Sequence, residues 1–415
     1  MFRNTVIKNG IWMYLLQFFN AVVPLITLPY ITRILGASNY GTFSIALNII
    51  IYLQVLVEYG FGMSATRKIA IKEDNPKEDN KLFTSVFVSR LLLLIVACLI
   101  SLVYMAVKQT DNSLSLCVIV LDMMLIGTAF QMNWYFQGKQ SMMYISLINI
   151  VSRSISVVLI FLLVKDSSDL VLYCALYSIS SFLSGIIGFV LAIVSFHLAF
   201  VRIHLFDVFN ELKDGFYVFT TQLSAKVFGA IGITFLGIFA VEAQVGIFSA
   251  IQKISAVLML GWTPIAQVLY PISSKKLSNG FLEGEKYVLH IRNIVMPAFL
   301  LVSLLVGLFS KQIVLLLYGT EYISYWYWVI PLLIWMLLSI NNNFLGIQIL
   351  LGSGHDKEYS SIFQISVIIT ILVNALLISN FEGNGASVAP AISELFLMIL
   401  LKIRISSIKH SELKK

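Results

Sequence analysis

Arg90, Arg153, Lys226 and Lys253 each interrupt an otherwise apolar stretch of the sequence. At the middle of a bilayer such a cation costs about 2.5 to 3.5 kcal/mol on insertion scales. It is kept only where it meets water, a carboxylate or a substrate. Lys226 falls near the centre of its stretch and Lys253 about two turns into the next. Lysine is a point charge that grips and releases phosphate more readily than the bidentate fork of arginine, so this pair suits a carrier of an anion. The structural alternative pairs these lysines with Glu58, Asp122 or Glu394, or lets Lys253 snorkel outward. Glu58, Arg90 and Arg153 all fall within a few turns of the cytoplasmic end, where an ion pair or network in the inner leaflet is expected. Glu58, Asp122 and Glu394 are also the groups that could bind a coupling proton or sodium ion. Gln17, Asn20, Asn48, Gln222 and Gln252 form a polar lining able to bond sugar hydroxyls, a role that competes with gluing helices together.

Enzyme chemistry is not indicated. The sequence has no Gly-rich phosphate loop, metal-ligand cluster or nucleophile triad, and His197, His204, His290, His355 and His410 are scattered among loops and ends. No cofactor is expected beyond a proton or sodium gradient.

Hydrophobic residues make up 59% of the 415 positions, charged residues 12%, and the mean hydropathy is +0.90. That balance belongs to an integral membrane protein. Counting about twenty apolar residues per crossing gives about twelve helices. They are expected near 10–35, 39–63, 82–107, 114–136, 144–165, 170–195, 215–240, 246–271, 288–309, 324–350, 359–379 and 385–402. The first is too long for a signal-peptide core and lacks a cleavage site, so it is expected to remain as a helix. Pro24, Pro29, Pro264, Pro271, Pro331 and Pro390 lie in or near spans, where helices bend. Cys98, Cys117 and Cys174 sit in apolar segments as small hydrophobes rather than a disulfide framework.

Most of the 28 Lys and Arg residues fall in one alternating set of inter-span segments. By the positive-inside rule both termini are then cytoplasmic. The formal charge of +7 is mainly a topology signal; with no basic face on a soluble module, nucleic acid is not an expected partner. Loops are short. The longest inner ones are Arg67 to Lys81 and Phe196 to Asp214, the latter amphipathic enough for an interfacial helix. The expected organisation is an N-terminal bundle over 1–195, a cytoplasmic amphipathic linker over 196–214 and a C-terminal bundle over 215–415.

A weak internal repeat supports two halves. At one constant offset, Lys8, Gly10, Gln17, Gly41, Phe43, Ser44 and Ile49 align with Lys213, Gly215, Gln222, Gly246, Phe248, Ser249 and Ile254. The polar and glycine identities carry the weight, because Ile and Phe match easily by chance. The first helices of each half are expected to face a central space, as in repeat-built transporters. Asn48 aligns with Lys253 and Ala21 with Lys226, so the cationic pair is particular to the second half.

Four stretches carry a resemblance. LPYITRILGASNYGTFSIA from Leu28, NWYFQGK (Asn133 to Lys139), IVLLLYGTEY (Ile313 to Tyr322) and QILLGSGHDKEY (Gln348 to Tyr359) resemble the Wzx-type polysaccharide flippases, in the polysaccharide-transport branch of the multidrug/oligosaccharidyl-lipid/polysaccharide superfamily. The first two are fairly specific to that branch. The resemblance implies an all-α polytopic membrane protein with about twelve spans in two pseudo-symmetric six-helix bundles, in a bacterial cytoplasmic membrane. It implies transfer of an undecaprenyl-pyrophosphate-linked oligosaccharide from inner to outer leaflet, with a polysaccharide polymerase and chain-length machinery as partners. Basic residues on helices one, two, seven and eight would meet the pyrophosphate, which by position supports Lys226 and Lys253, with Arg33 at the outer end. The arginine-rich cavity of the lipid II flippases is not reproduced. Two rivals remain: a drug antiporter on the same fold, which an aromatic, acidic cavity would favour, and a membrane polymerase, which would need a large outer loop with convergent acid, base or Arg groups. The longest outer loop offers only Lys311 and Glu321.

Overall fold

A computed structural model describes residues 2–71, 75–108 and 112–413. Lys72, Lys414 and Lys415, expected among the cytoplasmic cations, lie outside them. Among the described residues every regular element is a helix, the form in which an apolar segment satisfies its own backbone without water. Two compact units divide the chain at Lys226 and Val227. Unit 1 holds α1 (Phe2–Glu58), α2 (Phe61–Ile71), α3 (Pro76–Lys108), α4 (Asn112–Leu121), α5 (Met123–Phe130), α6 (Asn133–Gly138), α7 (Met142–Leu163), α8 (Leu170–Phe196) and the first part of α9 (Leu205–Phe239). Unit 2 holds the rest of α9, then α10 (Glu242–Leu260), α11 (Trp262–Asn279), α12 (Phe281–Leu308), α13 (Ser310–Tyr318), α14 (Val329–Asn343) and α15 (Asp356–Leu413). A 3-10 segment, Ile323–Trp328, precedes α14, and a π-helix, Phe344–Leu351, follows it.

Among the described residues, ten helical stretches are long and apolar enough to cross a membrane. Two of them, Asn9–Ile71 and Asp356–Glu412, have 63 and 57 residues, far more than a hydrocarbon core about 30 Å thick needs at about 1.5 Å per residue. Each contains a break. Gly36 takes φ 75°, ψ 170°, and Glu382 takes φ 47°, ψ −125°. At the second break α15 doubles back, so that Gly385 presses on the carbonyl of Leu377 and Arg404 pairs with Glu358 at 3.2 Å. Leucines 300, 301, 304, 305 and 308 of α12 are exposed, a surface suited to lipid.

The segment expected as an interfacial helix over 196–214 differs. His197, at φ 52°, ends α8, and residues 198–204 are not helical. Their backbone is claimed by α3: Ala199 N–H donates to Asn80 Oδ1 at 3.0 Å and Val201 N–H to Thr84 Oγ1 at 3.2 Å, while Phe200 packs 5.1 Å from Phe83. From Leu205 the helix runs through Asp214 without a break. Its acidic side chains bond neighbouring helices: Lys68 pairs with Glu211 and Asp214 at 2.8 Å each and Lys81 with Asp207 at 2.7 Å. These pairs line an open cleft of about 580 Å³.

Unit 1 packs an aromatic core of Phe61, Phe83, Trp134, Tyr135 and Phe136; unit 2 packs Trp262 against Phe344 at 4.6 Å, with Leu345, Leu401 and Ile405 around them. One close helix contact in unit 1 is backbone on backbone. A Cβ on Gly185 would overlap the Gly127 carbonyl, and one on Gly127 that of Ser181, the small-residue packing by which helices associate in lipid. Gly185→Val is therefore expected to destabilise unit 1 by about 2 kcal/mol or more, the scale of overpacking. Gly188→Ala, whose nearest neighbours stand 3.9 Å from the new Cβ, should leave the thermal melt of the detergent-solubilised protein unchanged; equal melts for the two variants would refute the close approach.

Candidate functional site

Lys253 stands on a helix that is packed almost all round. From Ala243 to Met259 every other side chain of α10 is buried or half-buried, and Lys253 alone is exposed. Gln252, beside it, lines a small, partly open cavity of about 40 Å³ with Asn374, Thr370, Ser393 and Trp335. The buried Oδ1 of Asn374 lacks a hydrogen-bond partner, and the space suffices for about one water. Ala250, one turn before Lys253, accepts the Tyr318 hydroxyl at 2.8 Å, which fixes α10 against the end of α13.

Lys226 is also exposed, with half-buried Gln222 one turn before it on α9. A side chain at Gly229, three positions on, would meet nothing within 4 Å. The open face of α9 thus carries a cation, an amide and a glycine. On α1, Gln17 is exposed and Gly10 likewise faces open space. Arg33 is exposed one turn before the Gly36 break. Asn48 is buried.

The ion-pair network expected of Glu58, Arg90 and Arg153 is not what the structure builds. Arg90 is 4% exposed, and its guanidinium donates to the backbone carbonyls of Gln131 and Thr128, the latter at 3.4 Å. It caps the C-terminus of α5, where carbonyls have no helical donor, and lies 5.9 Å from the Phe61 ring centroid. Arg153 donates to Asn20 Oδ1 at 2.8 Å, so Asn20 serves helix packing. Glu58 is within electrostatic reach of Arg90 but makes no ion pair with it among the described residues. A residue pattern points to Glu58 because side-chain charges are visible in a sequence, whereas backbone acceptors are not.

Asp122 and Glu394 lie inside apolar stretches, with no cation bonded to either among the described residues. Asp122 interrupts the helix between α4 and α5, accepts the Ser101 hydroxyl at 2.9 Å through Oδ2 and leaves buried Oδ1 unpartnered. Glu394, 3% exposed, accepts Asn342 Nδ2 at 2.6 Å on its carboxylate, and the same amide reaches the Glu394 carbonyl at 2.8 Å. Neither pairs with Lys226 or Lys253 among the described residues.

The four resemblance stretches turn out to hold helix ends together. Tyr30 donates to Val164 O and Asn39 to Ser167 O, both at 2.8 Å, which ties the Gly36 break to the α7–α8 connection. In NWYFQGK, Lys139 reaches Asp79 at 2.9 Å, the Tyr135 hydroxyl reaches it at 3.2 Å, and the Trp134 carbonyl accepts Thr66 at 2.9 Å. Tyr318 and Tyr322 are buried in ring contact at 5.6 Å. Gln348 reaches Ala266 O at 3.1 Å, and Tyr359 packs on Gly346. They mark architecture more than substrate chemistry.

Comparison with known proteins agrees with that architecture. Residues 6–276 match the family described as "Polysaccharide biosynthesis protein". A candidate O-antigen transporter of Escherichia coli (strain K12) is 28% identical over 402 residues, covering 95% of each chain. Its counterpart from Shigella dysenteriae is 26% identical over 398 residues, covering 95% of this chain and 98% of that protein. Among solved structures, lipid II flippase MurJ in an inward closed conformation superposes with a TM-score of 0.75 at 11% identity, over 96% of this chain and 87% of MurJ. An inward-facing MATE multidrug resistance transporter of the MOP superfamily gives 0.64 at 14% identity, over 94% and 99%. The chain is therefore a member of the polysaccharide biosynthesis protein family, with a fold like those of the solved MurJ and MATE structures.

Proposed function

We propose that this protein is a flippase that moves an undecaprenyl-pyrophosphate-linked oligosaccharide repeat unit from the cytoplasmic to the outer leaflet of a bacterial inner membrane, for O-antigen or capsule synthesis. The observation that carries the reading is the match, over nearly the whole of each chain, to O-antigen transporters, on a fold that a lipid II flippase also uses. In this reading the hairpin breaks at Gly36 and Glu382 turn the ten long stretches into twelve crossings, with both termini in the cytoplasm. The pyrophosphate meets Lys226 and Lys253, with Arg33 at the outer end, and Gln17, Gln222 and Gln252 bond glycan hydroxyls while the polyprenyl tail stays in lipid. The protein alternates between inward and outward access.

Net transport needs an energy source. Asp122 and Glu394 are the groups suited to a coupling proton or sodium ion, because each carries a carboxylate in an apolar span without a cationic partner among the described residues. A polymerase and its chain-length partner would consume the product outside.

The test is deletion of the gene in its native host. Complete lipid-linked repeat units should accumulate on the cytoplasmic face, with surface polysaccharide lost and restored by the wild-type gene. Normal surface glycan with altered drug sensitivity would replace this reading by the antiporter; unpolymerised units already outside would replace it by the polymerase.

A further inference from the structure

The hairpin turn of α15 is built from an unusual choice of residue. Glu382 takes the left-handed φ of 47° although Gly383, which would carry it freely, is its neighbour. A side chain held in such a conformation is a pointer to function when its surroundings fix it, and here they do. Gln244 Nε2 donates to Glu382 Oε2 at 2.6 Å, while Gln244 Oε1 accepts the Gly383 N–H at 2.9 Å. Two positions on, Asn384 Oδ1 accepts both the Tyr327 hydroxyl and the Trp328 indole N–H at 2.8 Å. Those bonds settle the amide's orientation and leave its Nδ2 without a partner among the described residues. Glu382 and Asn384 are both exposed, Tyr327 is 43% exposed, and the half-buried Trp326 stands perpendicular to it at 6.4 Å. All lie at the end of unit 2 opposite the basic tail of α15, because Glu382 is the far tip of that helical hairpin.

A fixed acceptor, a fixed donor and exposed aromatic faces side by side form a polyol-binding set: the rings take the C–H face of a sugar, and the carboxylate and amide take its hydroxyls. Membrane-interface anchoring explains aromatic rings at a helix end, but not a strained glutamate locked by a glutamine beside an amide with both donors free among the described residues. Around this end of unit 2 the sequence carries Glu242, Glu321 and Glu382 against Lys311, a balance that repels acidic sugars. We propose that Glu382, Asn384, Trp326 and Tyr327 form a glycan subsite for a neutral or amino sugar. As a subsite for the transported repeat unit this rests on the flippase reading; as a sugar site it stands alone.

The experiment uses the full chain in nanodiscs and, as probe, the lipid-free oligosaccharide released by mild acid from the host's lipid-linked repeat unit. Binding is followed by tryptophan fluorescence. A saturable response is expected, at least tenfold weaker in Asn384→Ala and in Tyr327→Ala, with thermal melts unchanged; Glu382→Gln covers the case in which Tyr327→Ala fails to fold. Trigalacturonate should give no response. Absence of saturable binding by the wild type, or equal binding by folded variants, overturns the subsite and leaves interface anchoring, and a saturable response to trigalacturonate overturns the charge assignment. A sugar site in a protein whose deletion leaves lipid-linked units normally distributed would sink the flippase reading alone.

Discussion

Replacing Lys226 and Lys253 together by alanine is expected to cut transfer of lipid-linked oligosaccharide by about 30- to 100-fold while leaving membrane levels and thermal melting near wild type. A hydrogen bond to a charged group contributes about 1.5 to 3 kcal/mol. Both lysines are exposed, so water screens them and the pair belongs at the low end, about 2 to 3 kcal/mol in total. At about 1.4 kcal/mol per tenfold that is the stated loss. The fold should survive because neither lysine is buried. Lys226→Arg and Lys253→Arg should retain charge but release the anion more slowly, lowering turnover more than binding. The assay is restoration of surface polysaccharide in the deletion strain, with quantified lipid-linked intermediate. Full rescue by the double alanine variant would remove the cationic pair from the mechanism.

That prediction rests on residues readable from sequence alone, and the reason is energetic. A lysine in an apolar stretch is costly anywhere but a wet or anionic site, so its identity reports its surroundings. The same reading offered Asp122 and Glu394 as partners for those lysines; among the described residues they bond Ser101 and Asn342 instead. It failed for Arg90, whose partners are the carbonyls of Gln131 and Thr128, and for Asn20, drawn into a bond with Arg153. The all-helical, many-span character was legible because about twenty apolar residues are needed per crossing. The segment over 198–204 was not, because its fate is set by Asn80 and Thr84, more than a hundred positions earlier. Glu382 was hidden as well. In a Glu-Gly-Asn-Gly turn the glycines are the natural bearers of positive φ, and only the bonds to Gln244 show why the glutamate carries it.

The Asp79 clasp shows what a resemblance stretch can conceal. NWYFQGK is recognisable as a motif, yet its work depends on a carboxylate 60 positions before Lys139 that nothing in the motif names. Asp79 is 7% exposed and receives Lys139 at 2.9 Å and the Tyr135 hydroxyl at 3.2 Å, joining the first turn of α3 to the end of α6. Lys139→Met keeps the stem but leaves Asp79 a poorly hydrated anion with only a phenol to bond. Breaking one side of a buried ion pair costs about 3 to 5 kcal/mol, a large share of the roughly 5 to 15 kcal/mol that holds a folded domain. The Lys139→Met protein is therefore expected to melt well below wild type and to reach the membrane in reduced amount. Adding Asp79→Asn removes the stranded charge and should recover more than half of the loss, since replacing both partners is far milder than removing one. A double-mutant cycle on detergent-solubilised protein measures the coupling. Strictly additive effects, or a Lys139→Met melt equal to wild type, would mean that the clasp carries no net energy and that the motif persists for another reason.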